Sequence, residues 1–137
     1  MSKTDSGHYS GTHGCSEKLI AEVISRGDKI SPKKVLFITR TEDEKIVWLE
    51  SGDTKSGLEH IISRHAAEFD GINIHRDEIP VFIRTAIEKG TIIGYQGKKN
   101  PRPVFEFGYG DMKYRIAIQI SENGYIVGAN MKNKGEK

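Results

Sequence analysis

The chain has 137 residues, with 21 Lys and Arg against 19 Asp and Glu, a formal net charge of +2 and a single cysteine. That length suits one domain able to bury its own core, and a lone thiol excludes an intramolecular disulfide and any Cys-rich metal site. No apolar run approaches the ~20 residues that span a bilayer, and the N-terminus lacks the basic-then-apolar order of a secretory signal.

Residues Met1 to Gly14 are polar and rich in Gly, Ser, Thr and His, and read as a flexible lead or linker, leaving 15–137 as a single domain. The spacing of Leu19, Ile20, Val23 and Ile24 predicts a short helix over 16–24, ending before Gly27. Val35 to Ile38 and Lys45 to Leu49 flank the polar Thr41-Glu42-Asp43-Glu44 and predict a β-hairpin, closed by Ser51-Gly52-Asp53. From Ser56 to Phe69, Leu58, Ile61, Ile62, His65 and Phe69 form one stripe of an amphipathic helix, with His60, Arg64, Ala67 and Glu68 away from it. A further helix is expected over 77–89, with Pro80 in its first turn and Gly90 at its stop.

After Gly90 the period falls to two, in four runs over 91–95, 103–109, 112–121 and 124–130. The turn signals Gly108-Tyr109-Gly110-Asp111 and Asn123-Gly124 make sequential antiparallel neighbours of them. In the third run Tyr114, Ile116, Ile118 and Ile120 share one face and Arg115, Ala117, Gln119 and Ser121 the other, so one face is core and one is open to function. The order predicts an α+β fold: short helices followed by a four-stranded antiparallel C-terminal sheet, with an additional N-terminal β-hairpin.

Charge is uneven. From Lys98 onward eight Lys or Arg face four Asp or Glu, whereas 41–60 run negative. A basic C-terminal half permits polyanion binding, although a solvated surface gives the same pattern. Lys98-Lys99-Asn100-Pro101-Arg102 is a basic loop on which a phosphate backbone can dock.

His60 and His65 are the residues best suited to general acid–base chemistry, since imidazole titrates near neutrality. Five residues along a helix place them about 140° apart, which disfavours a shared metal, so no metal and no cofactor are expected. For His65, on the apolar stripe, a hydrogen-bonded core histidine is the competing reading. Arg64 is placed either to meet a phosphate or to pair with Glu68. Cys15 near His13 reads as a bystander thiol. Asn130 ends the last strand, and Tyr95, Tyr109 and Tyr114 are stacking or packing residues.

The combination of Val47-Trp48-Leu49-Glu50, Gly57-Leu58-Glu59-His60-Ile61 with Arg64-His65, Gly94-Tyr95-Gln96-Gly97, and Gly124-Tyr125-Ile126-Val127-Gly128-Ala129-Asn130 resembles C-terminal toxin domains of bacterial polymorphic and contact-dependent growth inhibition systems. Specifically it resembles the barnase/EndoU/colicin/RelE-like ribonuclease superfamily, over about residues 30 to 131. The resemblance implies metal-independent cleavage of RNA, frequently tRNA, by 2′-OH attack. It also implies secretion as part of a larger effector, activity in the target-cell cytoplasm and neutralisation by a cognate immunity protein. On this resemblance His60 is the base, His65 the acid or an orienting residue, Arg64 a phosphate contact, and Asn130 stands where relatives place a hydroxyl or other polar group. Arg102, Glu106, Lys98 and, less favoured for its apolar face, Tyr114 are the expected substrate contacts. A non-catalytic RNA- or protein-binding module competes with this reading and would tolerate loss of either histidine; a phage structural or immunity-type interaction protein would instead form a stable complex with protein and show no salt-sensitive affinity for RNA.

Overall fold

The computed structural model describes residues 10–41 and 43–137. The expected lead as far as residue 9, Glu42 of the hairpin turn, and the side chains of His13 and Cys15 lie outside the described residues. Helix α1 spans Ser10–Ser25, so it starts well ahead of the expected 16–24. A 3-10 turn, Pro32–Lys34, leads into strand β1, Val35–Arg40, which pairs antiparallel with β2, Ile46–Glu50. Helix α2, Leu58–Asp70, follows; a 3-10 turn, Arg76–Glu78, then runs into helix α3, Ile79–Lys89. Strands β3, Thr91–Gln96, β4, Arg102–Tyr109, β5, Met112–Ile120, and β6, Ile126–Met131, form an antiparallel sheet in sequential order. This is the α+β arrangement expected: a two-stranded hairpin and a separate four-stranded sheet behind the helices.

The stripe on α2 buries Ile61 and Phe69, and α3 buries Ile79, Phe82, Ile83, Ala86 and Ile87. Both helices cover one face of the large sheet, where Phe105, Phe107, Tyr114, Ile116, Ile118 and Ala129 complete the main core. Phe82 is its centre. Its ring meets Phe107 and Tyr109 at 4.9 Å, Tyr114 at 5.2 Å and Phe69 at 6.1 Å, all edge-to-face, the geometry that aligns the positive edge of one ring with the negative face of the next. A second cluster of Val23, Ile38, Ile46 and Trp48 seats α1 on the hairpin.

The hairpin joins the large sheet through β6. The Trp48 N–H donates to Gly124 O (3.0 Å), and Trp48 bridges Tyr125 in parallel. Gly124 must be glycine: its φ is +106°, and a Cβ there would fall 2.0 Å from Ile46 O. The outward edge of β6 is occupied further along as well, by Gly57 N–H on Val127 O (3.0 Å) and by Glu68 Oε1, which accepts the Met131 N–H (2.9 Å). Covering an edge in this way removes a site of unwanted strand pairing. The N-terminal turn of α2, which lacks a side-chain cap, donates Glu59 N–H to Ser51 O (2.9 Å).

Two outcomes follow. Phe82→Ala removes the ring on which four aromatic contacts converge and should cost about 3–5 kcal/mol in chemical denaturation, a large part of a small domain's stability. Tyr109 donates its hydroxyl to Glu78 Oε2 (2.7 Å), and burial, together with Glu78, pushes its phenol from 10.0 up to about 12. A raised pKa in the folded state means that the Tyr109 contribution is complete below pH 10.0 and is lost as the pH climbs to about 12. Tyr109→Phe should therefore be less stable than the parent by about 1 kcal/mol at neutral pH, with the gap closing across that alkaline window; a gap that stayed constant there would contradict the assignment.

Candidate active site on the open sheet face

Strand register determines what shares the face opposite the helices. Val104, Ala117 and Asn130 lie in one row across β4, β5 and β6, and Glu106 pairs with Arg115 in the next. Gln119 pairs with Gly128 on the other side of that row, and Gln96 of β3 pairs with Arg102. Polar residues surround a small apolar floor, in which Val104 is 8% and Ala117 0% exposed.

The sheet is curled about this face. In a flat sheet β3 and β6 stand three strand spacings apart, about 14 Å. Yet Asn130 Nδ2 donates to Gln96 Oε1 at 3.3 Å, joining side chains of the two outermost strands across the face. Register shifts at Ile92/Gly94 and Gln119/Ile120 supply the irregularities that increase twist and bend. The small residues Gly94, Ala117 and Gly128 sit on the inside of the curve.

Arg102 Nη1 donates to Asn130 Oδ1 (3.0 Å) and has no carboxylate partner among the described residues. Arg115 is different: it is held by Glu106 (2.9 Å) and Glu136 (3.3 Å), contacts that raise its affinity for the proton further. Arg102 is thus the cation on this face whose partner is a neutral amide, and an anion can replace that amide without breaking an ion pair.

His60 reaches the same face from α2, around the β6 edge. A Cβ on Gly128 would lie 3.2 Å from His60 Cδ2 and 3.5 Å from Nε2, with Gln119 Oε1 at 3.9 Å. The missing side chain at 128 makes the seat for the imidazole. Its Nδ1 lies 2.8 Å from Thr54 O. A carbonyl oxygen only accepts, so Nδ1 carries a proton and, in the neutral ring, Nε2 holds the lone pair on the side of the open face. Gln119 approaches the His60 ring over Gly128, and Arg102 enters the same face from β4 through its bond to Asn130.

The remaining expected site residues are dispersed. His65 is 26% exposed in its side chain and hydrogen-bonds through Nδ1 to Glu68 Oε2, whose other oxygen holds Met131 N–H. His65 is therefore neither a buried core histidine nor a neighbour of His60; it belongs to the brace between α2 and the β6 edge. Arg64 is exposed, and with Glu68 engaged elsewhere it forms no ion pair with it. Lys98 is exposed in the β3–β4 loop. Glu106 is on the open face but is occupied by Arg115. Tyr114 is on the opposite face, 6% exposed among Phe82 and Phe107, out of reach of a ligand on the open side. Gln119, Gln96 and Gly128 were not among the expected site residues, although Gln96 and Gly128 stand within the motifs that carry the resemblance and the period-two reading of 112–121 placed Gln119 opposite the core.

No protein-family model matches the chain, and no curated protein matches it. Among the described residues, no group of three or more His, Cys, Asp and Glu side chains is placed to hold a metal ion, and no helix is long and apolar enough to cross a membrane.

Gly128→Val should displace the imidazole, since even one added carbon obliges the ring to give by a few tenths of an ångström. The ring resonances of His60 should move while those of His75, beside α3, stay in place. Unchanged His60 resonances in a folded variant would place the ring elsewhere.

Proposed function

We propose that this chain is a metal-independent endoribonuclease toxin that cleaves RNA, with tRNA as the substrate class, by attack of a ribose 2′-OH on the adjacent phosphodiester. The observation that carries the reading is the His60 imidazole, with its Nδ1 proton committed to Thr54 O, facing the same concave surface as the Arg102–Asn130 pair. His60 Nε2 takes the 2′-OH proton as general base, and the 2′-oxygen attacks phosphorus. Arg102, released from Asn130, and the Asn130 amide donate to the non-bridging oxygens, where charge accumulates in the transition state. The P–O5′ bond breaks, the 5′-oxygen takes a proton from water, and a 2′,3′-cyclic phosphate remains. His65 acts here as a positioning residue: through Glu68 it holds Met131, the neighbour of Asn130.

The motif combination around His60 and Asn130 supports the wider reading. In it, the domain is secreted as part of a larger effector, acts in the cytoplasm of a competing bacterium and is neutralised by a cognate immunity protein.

The test is incubation of the purified chain with total bacterial RNA in EDTA, beside folded His60→Ala, Arg102→Ala and His65→Ala variants. The parent should produce discrete fragments with 2′,3′-cyclic phosphate ends. His60→Ala should lose at least about 100-fold in rate, the usual contribution of a general base, and His65→Ala less. Absence of cleavage by the parent, or equal cleavage by the parent and His60→Ala, would sink the mechanism and favour a non-catalytic RNA- or protein-binding role.

A further inference from the structure

A second concavity, of about 660 Å³, lies at the other side of the loop that carries Thr54, between the base of the hairpin and the 121–125 turn, and is lined by Lys29, Lys34, Glu50, Ser56 and Tyr125 among others. Its volume falls in the range of small-ligand sites, about 300–1,000 Å³. Glu50 ends β2 and is 6% exposed. Its Oε2 accepts two hydrogen bonds, from Ser31 N–H (3.0 Å) and from Trp48 Nε1–H (3.0 Å). Its Oε1 has no hydrogen-bond partner among the described residues. A nearly buried carboxyl oxygen without a donor is costly, and on the wall of a cleft it marks where a ligand's N–H belongs.

The rest of the wall is firmly built. Tyr125 stands edge-on to Trp48, with centroids 6.1 Å apart, and its hydroxyl lies 2.9 Å from Ser56 Oγ. Asp53 does not compete for the ligand: its carboxylate accepts Lys55 N–H (2.8 Å) and Ser56 N–H (3.2 Å), which holds its pKa below the ordinary carboxylate range. Lys29 and Lys34 are exposed at the rim.

We propose that this cleft binds a nucleobase that carries an exocyclic amino group, with the amino N–H on Glu50 Oε1, the ring beside Tyr125 and the attached phosphate on Lys29 and Lys34. Uracil is disfavoured, because its one ring N–H is flanked by two carbonyls that would face the Glu50 carboxyl. The inference rests on the RNA reading above and deepens it by assigning a base-recognition subsite. It also couples that subsite to the chemistry, since the loop of residues 51–57 offers Thr54 O to His60 on one side and lines the cleft with Ser56 on the other.

Trp48, the one tryptophan of the chain, bonds directly to Glu50 and is a built-in reporter. Its fluorescence would be followed while adding each of the four nucleoside 5′-monophosphates, which offer no bond to cleave. Adenosine, cytidine and guanosine monophosphates should bind about tenfold more tightly than uridine monophosphate. Glu50→Gln should reverse that order: Ser31 and Trp48 retain the amide oxygen as acceptor, which turns the amide N–H2 toward the ligand and its carbonyls. Lys34→Ala, which leaves the buried wall intact, should weaken a monophosphate several-fold relative to its nucleoside.

No emission change with any nucleotide, or equal binding of all four bases by both parent and Glu50→Gln, would overturn the proposal. So would saturation by N-acetylarginine amide with no response to nucleotides, which would assign the cleft to a cation on a protein partner. Base-selective binding without RNA cleavage would leave the subsite standing and remove the ribonuclease reading, whereas cleavage without nucleotide binding would remove the subsite alone.

Discussion

The hydrogen bond between Asn130 and Gln96 joins the first and last strands of the C-terminal sheet across its open face. It requires the sheet to be curled, and most of what distinguishes the site depends on that curl. A flat sheet would spread its polar residues over a plane. The curved one turns Arg102, Gln119 and Asn130 toward a common centre and lets His60, carried by a helix on the opposite side, reach in around the β6 edge. Small side chains at 94, 117 and 128 line the inside of the bend, and at 128 an added Cβ would come within 3.2 Å of the His60 ring. The aromatic cluster around Phe82 fills the outside, where α3 lies against β4.

Organisation on this scale was largely readable from residue patterns. Period-two alternation over 112–121 separated the core face from the polar face, and Asn123-Gly124 located the turn into β6. The stripe on α2 was likewise visible, because helical spacing is a local property. What could not be read was any relation across strands. Arg102 and Asn130 are 28 residues apart in sequence, and Asn130 and Gln96 are 34 apart. Their proximity arises from register and curvature, neither of which alternation specifies. The start of α1 was missed for a different reason: Gly, Ser and Thr over 10–14 are poor helix formers, and propensity alone argues for a lead there.

The two histidines show how helical phase assigns different tasks to similar residues. Separated by about 140°, His60 and His65 cannot both face the concave surface from one straight helix. His60 leaves the helix near its first turn and is captured by the carbonyl of Thr54, in the loop just upstream. His65, more than a turn later, meets Glu68 on the following turn, and Glu68 in turn takes a main-chain N–H that the sheet leaves free at Met131. One imidazole therefore has its second nitrogen directed at open space and the other is part of a brace. The brace has consequences for the site all the same, because it fixes the position of β6 one residue beyond Asn130.

The loop of residues 51–57 is the structural link between the two concavities. It is held at both ends by main-chain bonds, Ser51 N–H to Lys34 O at one and Gly57 N–H to Val127 O at the other, and internally by the Asp53 carboxylate. A segment so constrained cannot shift Ser56 without also moving Thr54, two residues away. Since Thr54 O determines which nitrogen of His60 bears the proton, the proposed occupation of the cleft beside Glu50 would act on the imidazole through the main chain rather than through space. A ligand held on one side of the loop would thereby bear on the orientation of the His60 imidazole on the other, because both contacts belong to one constrained segment.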